Sequence, residues 1–409
     1  MTCEYKYLKG ETVQLGKVTI CHANPTAENT NPCDRENPGL NIPSIRPGGR
    51  SSAPWLAHTV RVPPGGETRY TGRVTTITLA PSGAELNDTP VPTKRVLLLK
   101  PRGFCAGVVR AIDIVQIALD TFGAPIYVRK EIVHNSYVVN DLAKKGAIFV
   151  NELDEVPEGA RVIYSAHGVS PAVRQHAKER GLKVIDATCP LVTKVHLEAV
   201  KFSKQGYSLV LVGHRDHEEV EGTQGEAPDV TQVVSTVEEV EALQVPDPNK
   251  VAYLTQTTLS LDEAKHMIEA LKRKFPNIMG PHAQDICYAT ENRQVAVKNV
   301  AHEADLVLVV GSKNSSNSNR LVEVSKNLDT NSHLIDSAEA IKPEWLTGVT
   351  TVAVTAGASA PEVLVQEVVN YLQEMGFGSL DEVEVMPENV RFGLPPEIVQ
   401  AIASAPGTR

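Results

Sequence analysis

Three cysteines, Cys105, Cys189 and Cys287, each follow an apolar run and precede a stretch of helical periodicity. In the first case, VLLLKPRGFCAGVVRAIDIVQIAL, Gly103 breaks the apolar run before Cys105, and apolar residues then return at helical spacing. A cysteine at a helix N-terminus meets unpaired N–H groups and the positive end of the helix dipole, which favour a thiolate. The pattern therefore predicts a strand, a turn and a helix three times, with a thiol at each helix start.

The three cysteines are separated by 84 and 98 residues (189 − 105 and 287 − 189). If three repeated units surround a pseudo-threefold axis, their thiols meet on that axis. Three thiolates can hold a zinc ion with one open position, or three irons of a 4Fe-4S cluster whose fourth iron is free for a substrate. The all-sulfur ligand set favours the cluster. Zinc, and buried thiols without a metal, are the alternatives.

Each cysteine helix is followed by a strand that runs into a polar cluster, and a later strand of each unit ends in small polar residues. The clusters begin at His134, His214 and Ser312, and the later strands end near His167, Thr257 and Ser359. Strands alternating with helices predict an α/β fold of parallel sheets, here as three units, 93–188, 189–284 and 285–377, with a closing segment 378–409. Ligands collect at the carboxyl ends of such strands, where these clusters lie.

The clusters supply hydrogen-bond donors at strand ends and helix starts, the kind of site that holds phosphate oxygens. The candidate donors are His134, His167, His217, Ser315, Ser316, Asn317 and Ser359. The alternative for the run KNSSNSNR is a helix N-cap with a polar first turn. Hydrogen bonds to charged groups contribute on the order of 1.5 to 3 kcal/mol each, so these donors can hold a diphosphate without a lysine clamp.

Glu219, in the segment HRDHEEVEGT, is the candidate proton donor. A free glutamic acid has a pKa near about 4.3, so Glu219 needs burial or a relayed proton to act as an acid at neutral pH. The alternative is a solvated glutamate in an acidic run. Thr257 can orient either Glu219 or a substrate hydroxyl.

Composition limits the classes of partner. The 409-residue chain has a net charge of −9, which argues against binding of nucleic acid or of an anionic membrane. No apolar run approaches the roughly 20 residues of a membrane span, and no signal-peptide pattern opens the chain. We therefore expect a cytoplasmic protein whose cysteines are not paired in disulfides.

Residues 1–92 have a different character from the repeats. They are dense in Pro, Gly, Asn, Ser and Thr, and we expect this extension to be mostly disordered or loosely attached, with a small hairpin where GETVQLGKVTIC and YTGRVTTITLA look strand-like. Alternatively, translation starts at Val91, just before the first repeat strand. Cys3, Cys21 and Cys33 match no metal-ligand spacing.

With these motifs in view, the chain resembles the LytB/IspH family, 4-hydroxy-3-methylbut-2-enyl diphosphate reductases of the non-mevalonate isoprenoid pathway. The matching segments come in family order over roughly residues 95–390, and they are PRGFCAGV, EIVHNSYVV, SAHGVS, DATCPLVTKVH, GHRDHEEVEGT, TQTTLS, DICYATENRQ, GSKNSSNSNR and TAGASAP. The resemblance implies a trefoil of three α/β domains around a 4Fe-4S cluster held by Cys105, Cys189 and Cys287.

The resemblance also implies the residue roles and the reaction. The substrate's C4 hydroxyl would meet the open iron, and the seven donors named above would hold the diphosphate. Glu219, with Thr257 in its hydrogen-bond network, would deliver the proton that lets the hydroxyl leave as water. Two electrons from ferredoxin or flavodoxin would then give isopentenyl or dimethylallyl diphosphate.

One motif departs from the family pattern, and two other functions stay open. The family more often has His-Pro-Glu where this chain has His217-Glu218-Glu219, and the change at Glu218 is expected to lie outside the substrate contacts. The other functions are a zinc-dependent hydrolase or lyase on the same three cysteines and a non-catalytic iron–sulfur sensor.

Overall fold

The computed structural model describes residues 2–9, 12–19 and 94–404. The chain divides into two units, Met1–Thr89 and Pro90–Arg409. In the first unit, strands β1 (Thr2–Lys9) and β2 (Thr12–Thr19) pair antiparallel, so the central part of the strand-like segment GETVQLGKVTIC forms one arm of a hairpin, with Thr2–Lys9 as the other arm. The predicted disorder of the extension, its second strand-like segment at 70–80, the start at Val91, and Cys21 and Cys33 lie outside the described residues.

The second unit alternates strands with helices, as the sequence predicts. Its helices are α1 (Ala106–Phe122), α2 (Ser136–Lys144), α3 (Pro171–Glu179), α4 (Pro190–Lys204), α5 (Glu218–Gly225), α6 (Val237–Ala242), α7 (Leu261–Lys274), α8 (Tyr288–Val300), α9 (Ser316–Lys326), α10 (Glu362–Glu374) and α11 (Pro396–Ser404). Its strands are β3 (Arg95–Lys100), β4 (Ile126–Arg129), β5 (Ala147–Val150), β6 (Arg161–Tyr164), β7 (Lys183–Asp186), β8 (Ser208–Val212), β9 (Thr231–Val234), β10 (Val251–Thr255), β11 (Leu306–Val310), β12 (Asn331–Ile335), β13 (Thr351–Ala356) and β14 (Ser379–Glu384).

These twelve strands form three parallel sheets. The first sheet has the order β5-β4-β6-β7, the second β10-β8-β9, and the third β12-β11-β13-β3-β14. Central strands such as β11 and β13 are buried along their whole length, because helices cover both faces of a parallel sheet and continuous apolar runs then suit both. The predicted α/β class with parallel sheets is confirmed.

Two strands pair with a sheet other than the one that their sequence position indicates. β3 opens the predicted first unit, yet it pairs with β13 of the third sheet, with Val96 opposite Val352. β14 lies in the segment expected to be a simple closing tail, yet it pairs with β3 and forms the edge of the same sheet. The tail also supplies α11, whose Ile398 is fully buried in the core around α1. The unit boundaries themselves stay a prediction.

Each cysteine lies where the chain passes from one sheet to the next. The strand before Cys105 belongs to the third sheet and the strand after its helix to the first. Cys189 stands between the first and second sheets, and Cys287 between the second and third. The chain thus visits the three sheets in a closed cycle with one cysteine at each passage.

Each helix that follows one of the three cysteines carries a basic side chain, and this side chain contacts the turn just before the next of the three cysteines. Arg110 donates to the carbonyl of Ala187 at 3.2 Å. Lys194 contacts Asp285 at 2.7 Å. The cycle closes where the buried Arg293 donates to the carbonyl of Gly103 at 2.6 Å. These three contacts tie the cysteine turns to one another.

Among the described helices, none is long and apolar enough to cross a membrane.

Candidate active site

The three cysteines line one cavity of about 90 Å³. Each is the N-cap residue of its helix, α1, α4 and α8 respectively, and Pro190 begins α4, as the sequence predicts. At Cys287 the thiol itself caps the helix, because Sγ accepts the Thr290 N–H at 3.4 Å. The repeated strand, turn and helix therefore bring all three thiols to the same place.

The backbone N–H of each cysteine donates to the carbonyl of a residue that follows a strand of a different predicted repeat. Cys189 donates to Ala166, the residue before His167, at 3.0 Å. Cys287 donates to Thr257 at 3.0 Å, and Cys105 donates to Ala358, the residue before Ser359, at 3.1 Å. One hydrogen bond, made three times, thus fixes each cysteine beside one of the predicted ligand-binding segments.

Burial makes the thiols of Cys189 and Cys287 hard to ionise when no cation is beside them. It raises the pKa of Cys189 to about 12 and that of Cys287 to about 11, and it outweighs the helix N–H groups that the sequence predicted would favour a thiolate. Thiolates at these positions would also repel one another across the cavity, which raises the pKa of Cys189 further. A bound cationic group reverses this balance, because metal coordination deprotonates thiols.

The space between two of the thiols depends on a missing side chain. A Cβ added at Gly107 would lie 2.8 Å from Cys189 Sγ and 3.8 Å from Cys105 Sγ. Sulfur ligands suit iron–sulfur clusters and zinc, so a cradle of three thiols kept open by a glycine fits a three-cysteine cluster site.

Glu219 is buried in this cavity with 3% of its surface exposed. Burial raises its pKa to about 7, although the Thr257 N–H and hydroxyl donate to its two carboxylate oxygens at 2.6 and 2.9 Å. Glu219 is therefore desolvated, as an acid that works at neutral pH must be. The alternative of a solvated surface glutamate is wrong.

The third repeat contributes a network of hydroxyls and an amide at the start of α9. Ser315 is the N-cap and is 1% exposed. Its Oγ accepts from Asn317 Nδ2 at 2.8 Å and lies 3.4 Å from Ser359 Oγ. Ser316 donates to the Thr258 carbonyl at 3.4 Å, and all four predicted residues of this group line the cavity. Ser359 also donates to the His134 carbonyl at 3.0 Å, which joins this network to the first repeat.

The three predicted histidines form one cluster on the same cavity. The rings of His134 and His167 stack, with centroids 4.0 Å apart and planes 17° apart. The His217 ring stands at 88° to both, at 5.4 and 5.7 Å. Burial and the two neighbouring rings lower the pKa of His217 to about 2, so that ring is neutral.

Glu218, which is expected to lie outside the substrate contacts, does contact one of the predicted diphosphate ligands, His167. Its Oε2 lies 3.1 Å from His167 Nδ1, because Glu218 is the first residue of α5 and faces the first repeat across the cavity edge. A second carboxylate repeats the arrangement, with Glu131 Oε2 3.3 Å from His134 Nδ1. Each stacked imidazole therefore has its own carboxylate partner.

His134, His167 and Glu218 bring possible metal-ligand atoms within 4.8 Å of one another. The stacking argues against a shared ion, because a metal binds an imidazole nitrogen in the plane of the ring, and one ion cannot lie in two nearly parallel planes separated by about a ring thickness. This group is better suited to an anion that accepts from both ring edges.

Sequence reasoning missed three residues of this site besides Glu218. Thr290 and Glu131 stand three residues from Cys287 and His134, a spacing that signals a local hydrogen bond. Asn314 donates to Glu131 at 2.7 Å, a contact between repeats that no local pattern reveals.

Comparison with known proteins bears directly on this site. The family model described as LytB protein matches residues 96–373, which include all three cysteines and every candidate site residue. The chain belongs to the LytB family. A 4-hydroxy-3-methylbut-2-enyl diphosphate reductase of Azoarcus sp. (strain BH72) is 58% identical over 75% of this chain and 98% of that protein. The protein of the same name from Leifsonia xyli subsp. xyli is 55% identical over 78% of this chain and 95% of its own length.

Two solved structures are similar to this chain as well. An E-1-hydroxy-2-methyl-but-2-enyl-4-diphosphate reductase from Plasmodium falciparum is 42% identical with a TM-score of 0.75, and the match covers 76% of this chain and 99% of that one. A second structure, of an enzyme described as the terminal one of the non-mevalonate pathway, is 35% identical with a TM-score of 0.51 over 69% of this chain and 99% of its own. The LytB family match, residues 96–373, thus covers most of the described part of the second unit, residues 94–404.

Proposed function

We propose that this protein is a 4-hydroxy-3-methylbut-2-enyl diphosphate reductase and catalyses the last step of the non-mevalonate isoprenoid pathway. The observation that carries the proposal is a single cavity that three thiols, a buried carboxyl group and a shell of phosphate-type donors line together. Relatives that share more than half of the sequence bear this enzyme name. The residue roles below are part of the proposal.

Cys105, Cys189 and Cys287 hold a 4Fe-4S cluster, with the three sheets arranged around it as a trefoil. The convergent thiols, the gap at Gly107 and the cyclic contacts between cysteine turns support this arrangement. When bound, the cluster supplies electrons one at a time and an iron that no cysteine occupies. The protein's own residues bind the substrate, exclude water and move the proton.

The substrate's diphosphate is held by His134, His167, His217, Ser315, Ser316, Asn317 and Ser359. Ser315 and Ser359 are buried and the other five are half-buried. Ser315 and Asn317 lie at the N-terminus of α9, where backbone N–H groups attract anions. Hydroxyl, amide and imidazole donors from all three predicted repeats meet here. The existing hydrogen bonds among them hold their positions before substrate arrives, which lowers the ordering cost of binding.

Glu219 delivers the proton with which the substrate's hydroxyl leaves as water. Its pKa of about 7 keeps a substantial protonated fraction at neutral pH, and Thr257 holds the carboxyl group in place through two hydrogen bonds. In the balanced reaction the C4–O bond breaks, two electrons enter, and a second proton joins the allylic carbon chain. The products are water and isopentenyl or dimethylallyl diphosphate.

The two electrons come from outside the chain, and we assign a ferredoxin or flavodoxin as the donor. Both are one-electron carriers, which matches a cluster that passes single electrons.

Product analysis tests the proposal. The protein is purified without oxygen, loaded with iron and sulfide, and mixed with a chemical reductant and 4-hydroxy-3-methylbut-2-enyl diphosphate. We expect both five-carbon diphosphates, detected by mass spectrometry, with many turnovers per chain. An iron-loaded protein that gives no product with several reductants contradicts the reductase and leaves an iron–sulfur sensor as the better reading. A zinc-loaded, iron-free protein that transforms the substrate would favour the hydrolase or lyase.

A further inference from the structure

Glu218 is placed so that its carboxyl group acts on one predicted diphosphate ligand. It is the first residue of α5, and its Oε2 lies 3.1 Å from His167 Nδ1. The two side chains are mostly buried, with 14% of His167 and 21% of Glu218 exposed. Ser165 Oγ lies 3.3 Å from the same nitrogen.

The carboxylate decides which His167 nitrogen carries a proton. A lone pair on Nδ1 would face the negative oxygen of Glu218, so Nδ1 carries the proton and donates it. In a neutral ring Nε2 is then a bare acceptor, and an acceptor repels a phosphate oxygen. His167 can donate to a diphosphate through Nε2 only when both of its nitrogens are protonated.

His217 has the opposite arrangement. Its Nδ1 accepts the backbone N–H of Glu219 at 3.2 Å, so the proton of the neutral ring lies on Nε2. His217 therefore donates without gaining a charge. To donate to an anion through Nε2, His167 must gain a proton, whereas His217 need not. Both histidines line the same cavity.

We infer that Glu218 is a positioning residue which, through His167, makes diphosphate binding take up a proton. The inference rests on the proposed function, because it needs a diphosphate in this cavity. Before binding, burial and the neighbouring His134 lower the pKa of His167, so the ring is uncharged at neutral pH. In the complex an imidazolium lies between two anions, Glu218 and the diphosphate, and both favour its charge.

Other ionisable groups around Glu218 and His167 change the size of the proton uptake, but its source is the contact between Glu218 and His167. They are His134, which stacks on His167, His217 at its edge, Glu131 beside His134, and Lys130, which acts on Glu218. Glu131 pairs with His134 in the same way and stays in place when Glu218 is removed. The test therefore compares proton uptake between the Glu218 variants and wild type and does not require the uptake to vanish.

Two substitutions remove the carboxylate and keep the helix. In Glu218→Gln the carboxamide can donate to Nδ1, which lets a neutral His167 carry its proton on Nε2. In Glu218→Pro the Ser165 hydroxyl can do the same, and proline suits the first helical position. The preceding residue, His217, already has the extended backbone that precedes proline, with φ −92° and ψ 131°. Glu221→Gln is the matched control, because it removes one negative charge from the exposed face of the same helix.

Calorimetry of substrate binding measures the proton directly. Oxygen-free holoenzyme is titrated with 4-hydroxy-3-methylbut-2-enyl diphosphate, without reductant, at about pH 8 in two buffers of different ionisation enthalpy. We expect wild type and Glu221→Gln to take up about one proton more than Glu218→Gln and Glu218→Pro. For each unit by which the pH rises, the affinity of wild type and Glu221→Gln for the substrate should fall by about a factor of ten more than that of the two Glu218 variants.

Two results overturn the inference, and they are distinguishable. Equal proton uptake in all four proteins removes the role of Glu218 and leaves the proposed function intact. If neither wild type nor Glu221→Gln binds the substrate, the diphosphate site fails, and the inference that rests on it fails as well.

Discussion

A Glu219→Gln variant should lose about 100- to 10,000-fold in turnover, while its affinity for substrate stays within a few fold of wild type. Glutamine keeps the shape of the side chain and can still contact Thr257, but it has no acidic proton for the leaving hydroxyl. The measurement is steady-state product formation together with substrate binding by the same preparation. Glu221→Gln, exposed on the same helix, is the control and should keep wild-type turnover.

The pH dependence gives an independent check on this residue. Glu219 must be protonated to act as an acid, and burial raises its pKa to about 7. We therefore expect kcat of wild type, which reports the enzyme–substrate complex, to fall as pH rises above about 7, and this limb should be missing from Glu219→Gln. If the variant turns over at the wild-type rate, or if its profile keeps the limb, the proton comes from another group.

Replacing Cys287 with serine should abolish activity, with at least about a 1,000-fold loss, and should remove most of the bound iron. A hydroxyl is a harder and much less acidic ligand than a thiol, so the remaining two thiolates cannot hold the cluster. Iron and sulfide analysis, the visible absorbance and turnover measure the effect. Cys105→Ser and Cys189→Ser should behave alike, because all three thiols line the same cavity.

A matched control is available in the same chain. Cys21→Ser makes the same substitution at a cysteine that the motifs exclude from the cluster, and it should keep both iron and activity. A Cys287→Ser protein with undiminished iron and turnover would contradict the three-cysteine ligand set.

Local sequence patterns were enough to predict the cysteine turns. A broken apolar run, a cysteine and a return of helical periodicity describe an N-cap, and all three cysteines are N-caps. The same reasoning placed Ser315 at the start of a helix. The convergence of distant motifs followed from their repetition, because equivalent strand ends of parallel sheets carry their ligands on the same edge.

Strand partners could not be predicted in the same way. The apolar run of β3 indicates a strand that is buried on both faces, but a central position in any parallel sheet has that environment. Its pairing with β13 and β14 joins residues more than 250 positions apart, and no periodicity records such a contact.

Glu218 illustrates a further limit. An acidic run is typical of a solvated helix face, and Glu221 does lie exposed. Glu218 instead lies at the first position of α5, and only the neighbouring repeat determines that His167 meets it. The side-chain environment at a junction between repeats thus depends on packing that one strand or helix does not encode.

The central claim is that one substrate spans this cavity, with its diphosphate among the donors and its hydroxyl end beside the thiols and Glu219. The most direct test is a crystal structure of the oxygen-free holoenzyme with 4-hydroxy-3-methylbut-2-enyl diphosphate and no reductant. We predict diphosphate oxygens within hydrogen-bond distance of Ser315, Asn317 and Ser359, and the C4 hydroxyl on the cysteine side, next to Glu219. A diphosphate bound elsewhere, for example in the separate cavity of about 450 Å³ beside Lys100 and Arg102, would contradict the account.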